Sequence, residues 1–129
     1  MASEKTESIQ RVVQEDPRYS AQAYYFIFDA LDYTLQTMEK ARHVTGPELL
    51  QGIRRYASDQ FGFLARTVLA EWGVNATADF GEIVFNLVAA GLLSRSEHDT
   101  KEDFAGVYNF DDAFERDFRR SLRDVTISA

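Results

Sequence analysis

His43 and His98 are the two imidazoles of this chain, and they are the first places to look for acid–base or metal chemistry. Neither stands in a His-Glu-x-x-His or Glu-x-x-His spacing, the patterns that put two ligands on one helix face. His43 precedes Thr45 in a connector, where hydrogen bonding or a helix C-terminal charge accounts for it. His98 falls in the polar run Glu97-His98-Asp99-Thr100-Lys101, where solvation does. A general base needs a positioned partner, and the spacing displays none. Ser58 and Ser94 likewise have no triad partners in view. There is no cysteine, which removes disulfides, thiol nucleophiles, iron–sulfur clusters and thiolate zinc sites together.

The densest charge lies at Glu97, Asp99, Glu102, Asp103, Asp111, Asp112 and Glu115. A divalent cation is conceivable there, but the Asp/Asn-plus-Gly spacing of a calcium loop is missing. Surface solvation and favourable charge at helix N-termini explain these acids more simply. Arg116, Arg119, Arg120 and Arg123 interleave with Asp112, Glu115, Asp117 and Asp124, and Asp112–Arg116 and Glu115–Arg119 have the favourable i, i+4 order. Arg54 and Arg55 fall on the polar side of their helix. No glycine run approaches a phosphate cradle. Gly52 and Gly81 instead sit inside helical patterns, at a cost of about 1 kcal/mol each against Ala, which suits close helix approach. No catalytic, cofactor-binding or metal residue is assigned, and the chain is expected not to be an enzyme.

The elements are mostly helices. Residues 1–16 carry Ile9, Val12 and Val13 on one side. Pro17 interrupts the pattern, and Ser20 is the expected N-cap of the longest helix, Ala21 to about Ala41. That helix has one apolar face of Tyr24, Ile27, Phe28, Leu31, Leu35 and Met38, and an opposite stripe of Phe26, Ala30 and Tyr33. A helix apolar on two sides is covered from both, by terminal helices or by another subunit, which makes Phe26 and Tyr33 the candidate interaction surface. Thr45-Gly46-Pro47-Glu48 reads as a capping box with Pro in the first turn, opening a helix with Leu49, Leu50, Ile53, Tyr56 and Ala57 inward. Gly62 breaks or bends it. A further helix has Leu64, Val68, Leu69 and Trp72 inward and stops at Gly73. Asp79-Phe80-Gly81-Glu82 reads as a second capping box, with Thr77 as the alternative start, and opens a helix that carries Phe80, Ile83, Val84, Leu87 and Val88 and ends at Gly91.

Beyond Gly91 the period changes. Phe104, Gly106, Tyr108 and Phe110 share one parity, so this stretch is expected as a strand pairing with Leu92–Ser96 in a small hairpin. Asp111 is expected to cap a C-terminal helix over 111–123 with Phe114 and Phe118 at i, i+4, and 124–129 to fray. The expected fold is one domain over 1–129, mainly α with a small β-hairpin, with a core at 20–110 and a winged-helix-like order at 45–110. In that order residues 77–91 are the reading helix, but they bear no Lys or Arg, and Asn86 alone could read a base. The nucleic-acid reading is disfavoured on those grounds.

The stretch His43–Arg54, the stretch Asp79–Val88, Glu102-Asp103-Phe104 and Val107-Tyr108 together resemble an uncharacterised family of short conserved proteins found mainly in planctomycetes and verrucomicrobia. The likeness covers roughly residues 5–115. It implies a bacterial cytoplasmic origin and carries over no activity and no functional residue.

Composition sets the outer bounds. A chain of 129 residues can bury roughly two-thirds of its unfolded surface, enough for a core without staples. With 45% hydrophobic and 27% charged residues it is an ordinary globular sequence rather than a disordered one. A net charge of −7 repels phosphate backbones over the surface as a whole. The polar N-terminus has no apolar h-region, and no apolar run approaches the roughly 18 to 20 residues of a membrane span, so a cytoplasmic protein without a membrane anchor is expected. The leading expectation is a non-enzymatic protein-interaction or assembly module without cofactor, with a homodimer through the two-sided helix as one form of it. A winged-helix nucleic-acid-binding regulator and an acidic-cluster divalent-metal protein are the alternatives.

Overall fold

Pro17 and three glycines punctuate the chain where its helices stop. The computed structural model describes residues 4–39, 43–94 and 100–116, with 115 and 116 as backbone only. Helix α1 spans Glu4–Glu15, α2 Ala21–Gln36, α3 Gly46–Phe61, α4 Ala65–Glu71 and α5 Thr77–Ala89. Gly62 adopts φ 54° and turns the end of α3 into the 3-10 turn Gly62–Leu64, while Gly73 and Gly91 take φ 90° and 78° just past α4 and α5. L-residues rarely enter this left-handed region, so glycine is what lets each helix stop there.

The capping box at α3 is complete. Thr45 Oγ1 accepts from the Glu48 N–H at 3.3 Å, and the Glu48 carboxylate accepts from the Thr45 N–H at 3.0 Å. Helix α5 starts at Thr77, the earlier of the two expected positions. Asp79 serves it from the third helical position, accepting from the N–H groups of Asn75 (2.9 Å) and Ala76 (3.1 Å). Ser20 precedes α2 with extended backbone, but its hydroxyl makes no cap bond; its N–H instead donates to the Trp72 carbonyl at 3.1 Å.

Helix α2 is central. Tyr24 and Ile27 are fully buried on one side, where α1 and α5 pack, and Phe26 and Ala30 are buried on the other, against α3. The α2–α3 approach is made possible by Gly52, since a Cβ there would run into Thr34 Oγ1. Helix α2 ends at Gln36, short of the expected end near Ala41, and residues 40–42 lie outside the described ones.

The expected β-hairpin and winged-helix arrangement at 45–110 are not supported. Among the described residues there is no strand: Lys101–Phe104 is a 3-10 turn, residues 105–109 are irregular, and Asp111–Arg116 is a π turn. Gly106, at φ 61°, breaks the extended run. The backbone bonds to helices rather than to a ladder, for Val107 N–H donates to Thr77 Oγ1 at 3.2 Å. The alternating large residues are anchors. Phe104 fills the space above Gly46 and Gly81, whose missing Cβ atoms would lie 3.0 and 2.8 Å from it. Phe110 stacks with Phe80 and Phe114 at 5.7 and 5.1 Å. Tyr108 donates its hydroxyl to the Leu50 carbonyl at 2.7 Å.

The last turn is capped by Asn109, not Asp111: Asn109 Oδ1 accepts from the N–H groups of Asp111 and Asp112 at 2.9 and 3.3 Å. Leu64, expected inward, is 48% exposed because the 3-10 turn rotates it off the core. The remainder of the expected hairpin loop, including Glu97, His98 and Asp99, lies outside the described residues, as do Phe118 and the rest of the C-terminal helix and tail at 117–129.

Candidate functional site

Rings from three helices meet on one side of α2. Phe26 lies at their centre, 5% exposed, with the rings of Tyr56 and Phe61 (α3) and Trp72 (end of α4) at 5.5, 5.9 and 5.5 Å. Phe61 and Trp72 stand edge to face at 81° and 5.7 Å, and Tyr33 lies 5.3 Å from Tyr56. Such tilted pairs are favourable for ring quadrupoles and hold the cluster in one geometry. The helical spacing of Phe26 and Tyr33 thus places both in one aromatic layer, and the cover on that stripe comes from α3 and α4 of the same chain.

The layer is not sealed. A cleft of about 240 Å³ opens over it, with Tyr25, Phe26, Tyr56, Phe61 and Trp72 as floor and walls and Gln22, Asp29 and Gln60 at its edge. Tyr25 is 36% exposed, Phe61 and Trp72 are half-buried, and Asp29 is exposed. Asp29 is the one charged side chain among the described residues that line it. Burial, then the Asp29 charge, pushes the Tyr56 hydroxyl above its ordinary value, so that group stays a neutral phenol. Tyr33 is raised likewise, by burial and by Asp59, to which it donates a hydrogen bond at 3.3 Å.

A second cavity, of about 190 Å³, lies where α2, α3 and α5 diverge, lined by Leu31, Leu35, Val44, Leu49, Val84, Phe85, Leu93 and Phe104. It also brings together His43 and Ser94, which stand far apart in the sequence. Both adjoin, along the chain, segments outside the described residues. Ser58 is elsewhere, with a buried hydroxyl that has no hydrogen-bond partner among the described residues.

The remaining polar groups knit elements together. Asp16 takes a two-pronged ion pair from Arg18 (2.8 and 2.7 Å) and a hydrogen bond from the Asn86 amide (2.9 Å). Arg18 chiefly, and Asn86 after it, hold the Asp16 carboxyl well below the usual carboxylate range. The Asn86 amide also donates to the Tyr24 hydroxyl at 3.0 Å, so the one base-reading candidate of α5 is committed inside the fold. Glu82 is held low by Lys101 (3.1 Å) and Arg18 (3.3 Å). Of the acidic cluster, Asp103 accepts from the Thr100 N–H and Asp111 pairs with Arg66 at 2.9 Å. Among the described residues no three acids or histidines come close enough to hold a metal ion, while Glu97 and Asp99 and the Glu115 side chain lie outside them.

Tyr56 and Trp72 read in the sequence as inward-facing residues and Phe61 is not singled out there, so the cleft they line was not visible. The available signal was Tyr25 and Asp29 at i, i+4 beside Phe26, an exposed acid beside aromatic residues on one helix. No family model, curated protein or solved structure matches the chain.

Proposed function

We propose that this chain is a non-enzymatic protein-interaction module whose recognition surface is the ring-lined cleft between α2, α3 and α4. The observation that carries the reading is the cleft itself: three helices converge five aromatic residues on a cavity open to solvent. Aromatic residues are the groups that dominate binding energy at protein interfaces, because they bury large area at small cost in rotamer entropy. Asp29, the one charged side chain among the described residues that line the cleft, and the net charge of −7 favour a partner that is basic where it touches.

The test is site-specific cross-linking. A photoreactive residue replacing Gln22 or Gln60 at the cleft edge should capture one dominant protein in extracts of the native host. A second copy of the chain counts as the homodimer form of the same function. The same residue at exposed Gln51, about 140° around α3 from Tyr56, is the control. Equal, diffuse labelling from all three positions would remove the proposal.

A further inference from the structure

We propose that the cleft is a cage for an alkylated ammonium cation, presented by the partner as a methylated lysine side chain; this rests on the interaction-module reading and names the group gripped. Three independent features favour such a cation. The rings of Tyr25, Tyr56, Phe61 and Trp72 line the cleft around the Phe26 ring, and aromatic faces carry the negative side of the quadrupole. Asp29 supplies one full negative charge at the edge, with no cation among the described residues that line the cleft.

The third feature is how the chain uses its own cations. Lys5, Arg18, Arg54 and Arg66 sit over Phe28, Tyr19, Tyr108 and Phe110, at 3.6 to 5.6 Å from the ring centroids. None of those contacts falls on a cleft ring. Among the described residues, then, no internal cation sits over a cleft ring.

Shape and hydration select the head group. The Phe26 floor meets its neighbours at 31° to 53°, and Phe61 meets Trp72 at 81°. None of these ring pairs is parallel, whereas a planar guanidinium needs parallel faces to stack. An unmodified ammonium is strongly hydrated and carries three donors, and one exposed carboxylate beside apolar rings replaces little of that water. Methyl groups remove the donors, spread the charge and add apolar area, so the same rings bind the alkylated form better.

Trp72 is the single tryptophan and lies in the cleft, so its emission reports binding directly in the full chain. The probes are a short neutral peptide with one trimethyl-lysine, the same peptide with lysine, and choline. We expect a saturable change in Trp72 emission with the trimethylated peptide, about 10-fold tighter than with the lysine peptide. Asp29→Asn and Tyr25→Ser, both at exposed positions, should each weaken it several-fold while leaving the far-ultraviolet helix signal unchanged. No saturable change with any probe, equal affinity for the two peptides, or binding indifferent to both substitutions would each overturn the cage. Choline binding without the trimethylated peptide would support the cage but overturn its protein source. Cross-linking at Gln22 that persists when trimethyl-lysine fails to bind would leave the interaction module standing without the cage.

Discussion

Asp16, half-buried in its turn, carries more of the tertiary structure than a turn residue usually does. It sits between Arg18, its neighbour in the turn, and Asn86 on α5, and Asn86 in turn reaches the Tyr24 hydroxyl on α2. Because Asp16 is held below its ordinary value in the folded chain, it binds a proton less readily there than when unfolded. Its contribution is therefore present above the unfolded carboxylate value of about 4 and is lost as pH falls from there through the depressed folded value. The Arg18 side chain is 55% exposed, so solvent screening keeps the effect small. Asp16→Asn should lower stability by about 1 kcal/mol at neutral pH. The gap between variant and wild type should close in urea titrations carried down through the acid range. A gap independent of pH would mean that Asp16 acts through shape rather than charge.

At the scale of elements, a single missing side chain sets how closely α2 and α3 can lie. Gly52→Ala should destabilise by about 1–3 kcal/mol, although alanine is the better helix former, because the new methyl meets the Thr34 hydroxyl and methyl in a filled interior. Thr34→Ala in the same chain should restore part of that loss, which a double-mutant cycle by denaturant unfolding would read. The helices were legible in the residues. Thr45 and Glu48 spell a capping box, Gly62 and Gly73 end their helices, and the faces of α1 and α3 follow a 3.6 period. The segment after Gly91 was not legible, and the reason is physical. Alternation of Phe104, Tyr108 and Phe110 is satisfied equally by a strand or by an irregular chain that drops each ring into a gap. The choice between them rests on Gly46 and Gly81, distant glycines that open room for Phe104. Of the two residues singled out in the sequence, Phe26 lines the candidate cleft and Tyr33 does not, touching Tyr56 from outside it, whereas Tyr56, Phe61 and Trp72 join Phe26 only through packing.

For the whole molecule, the fold is a set of local helical pairs closed by a few long-range ties, with α2 as the element both sides share. Among the described residues no helix is long and apolar enough to cross a membrane. One of the ties joins residues 60 positions apart: buried Tyr19, in the turn after α1, donates to Asp79 at the start of α5 at 2.7 Å. Burial and the Asp79 carboxylate push the Tyr19 hydroxyl above its ordinary value, which keeps the donor protonated. A contact spanning so much chain is expected to form after the nearby helix pairs have docked, because its loop must close first. Tyr19→Phe, costing about 1–2 kcal/mol, should then speed unfolding and leave the refolding rate nearly unchanged when Trp72 emission is followed by stopped flow. Slower refolding by the full amount would put the turn in the folding nucleus instead. On that expectation the lifetime of the native state is set in part at the Pro17–Tyr19 turn, where Arg18 and Tyr19 pack against Gly73, one residue past Trp72 of the cleft.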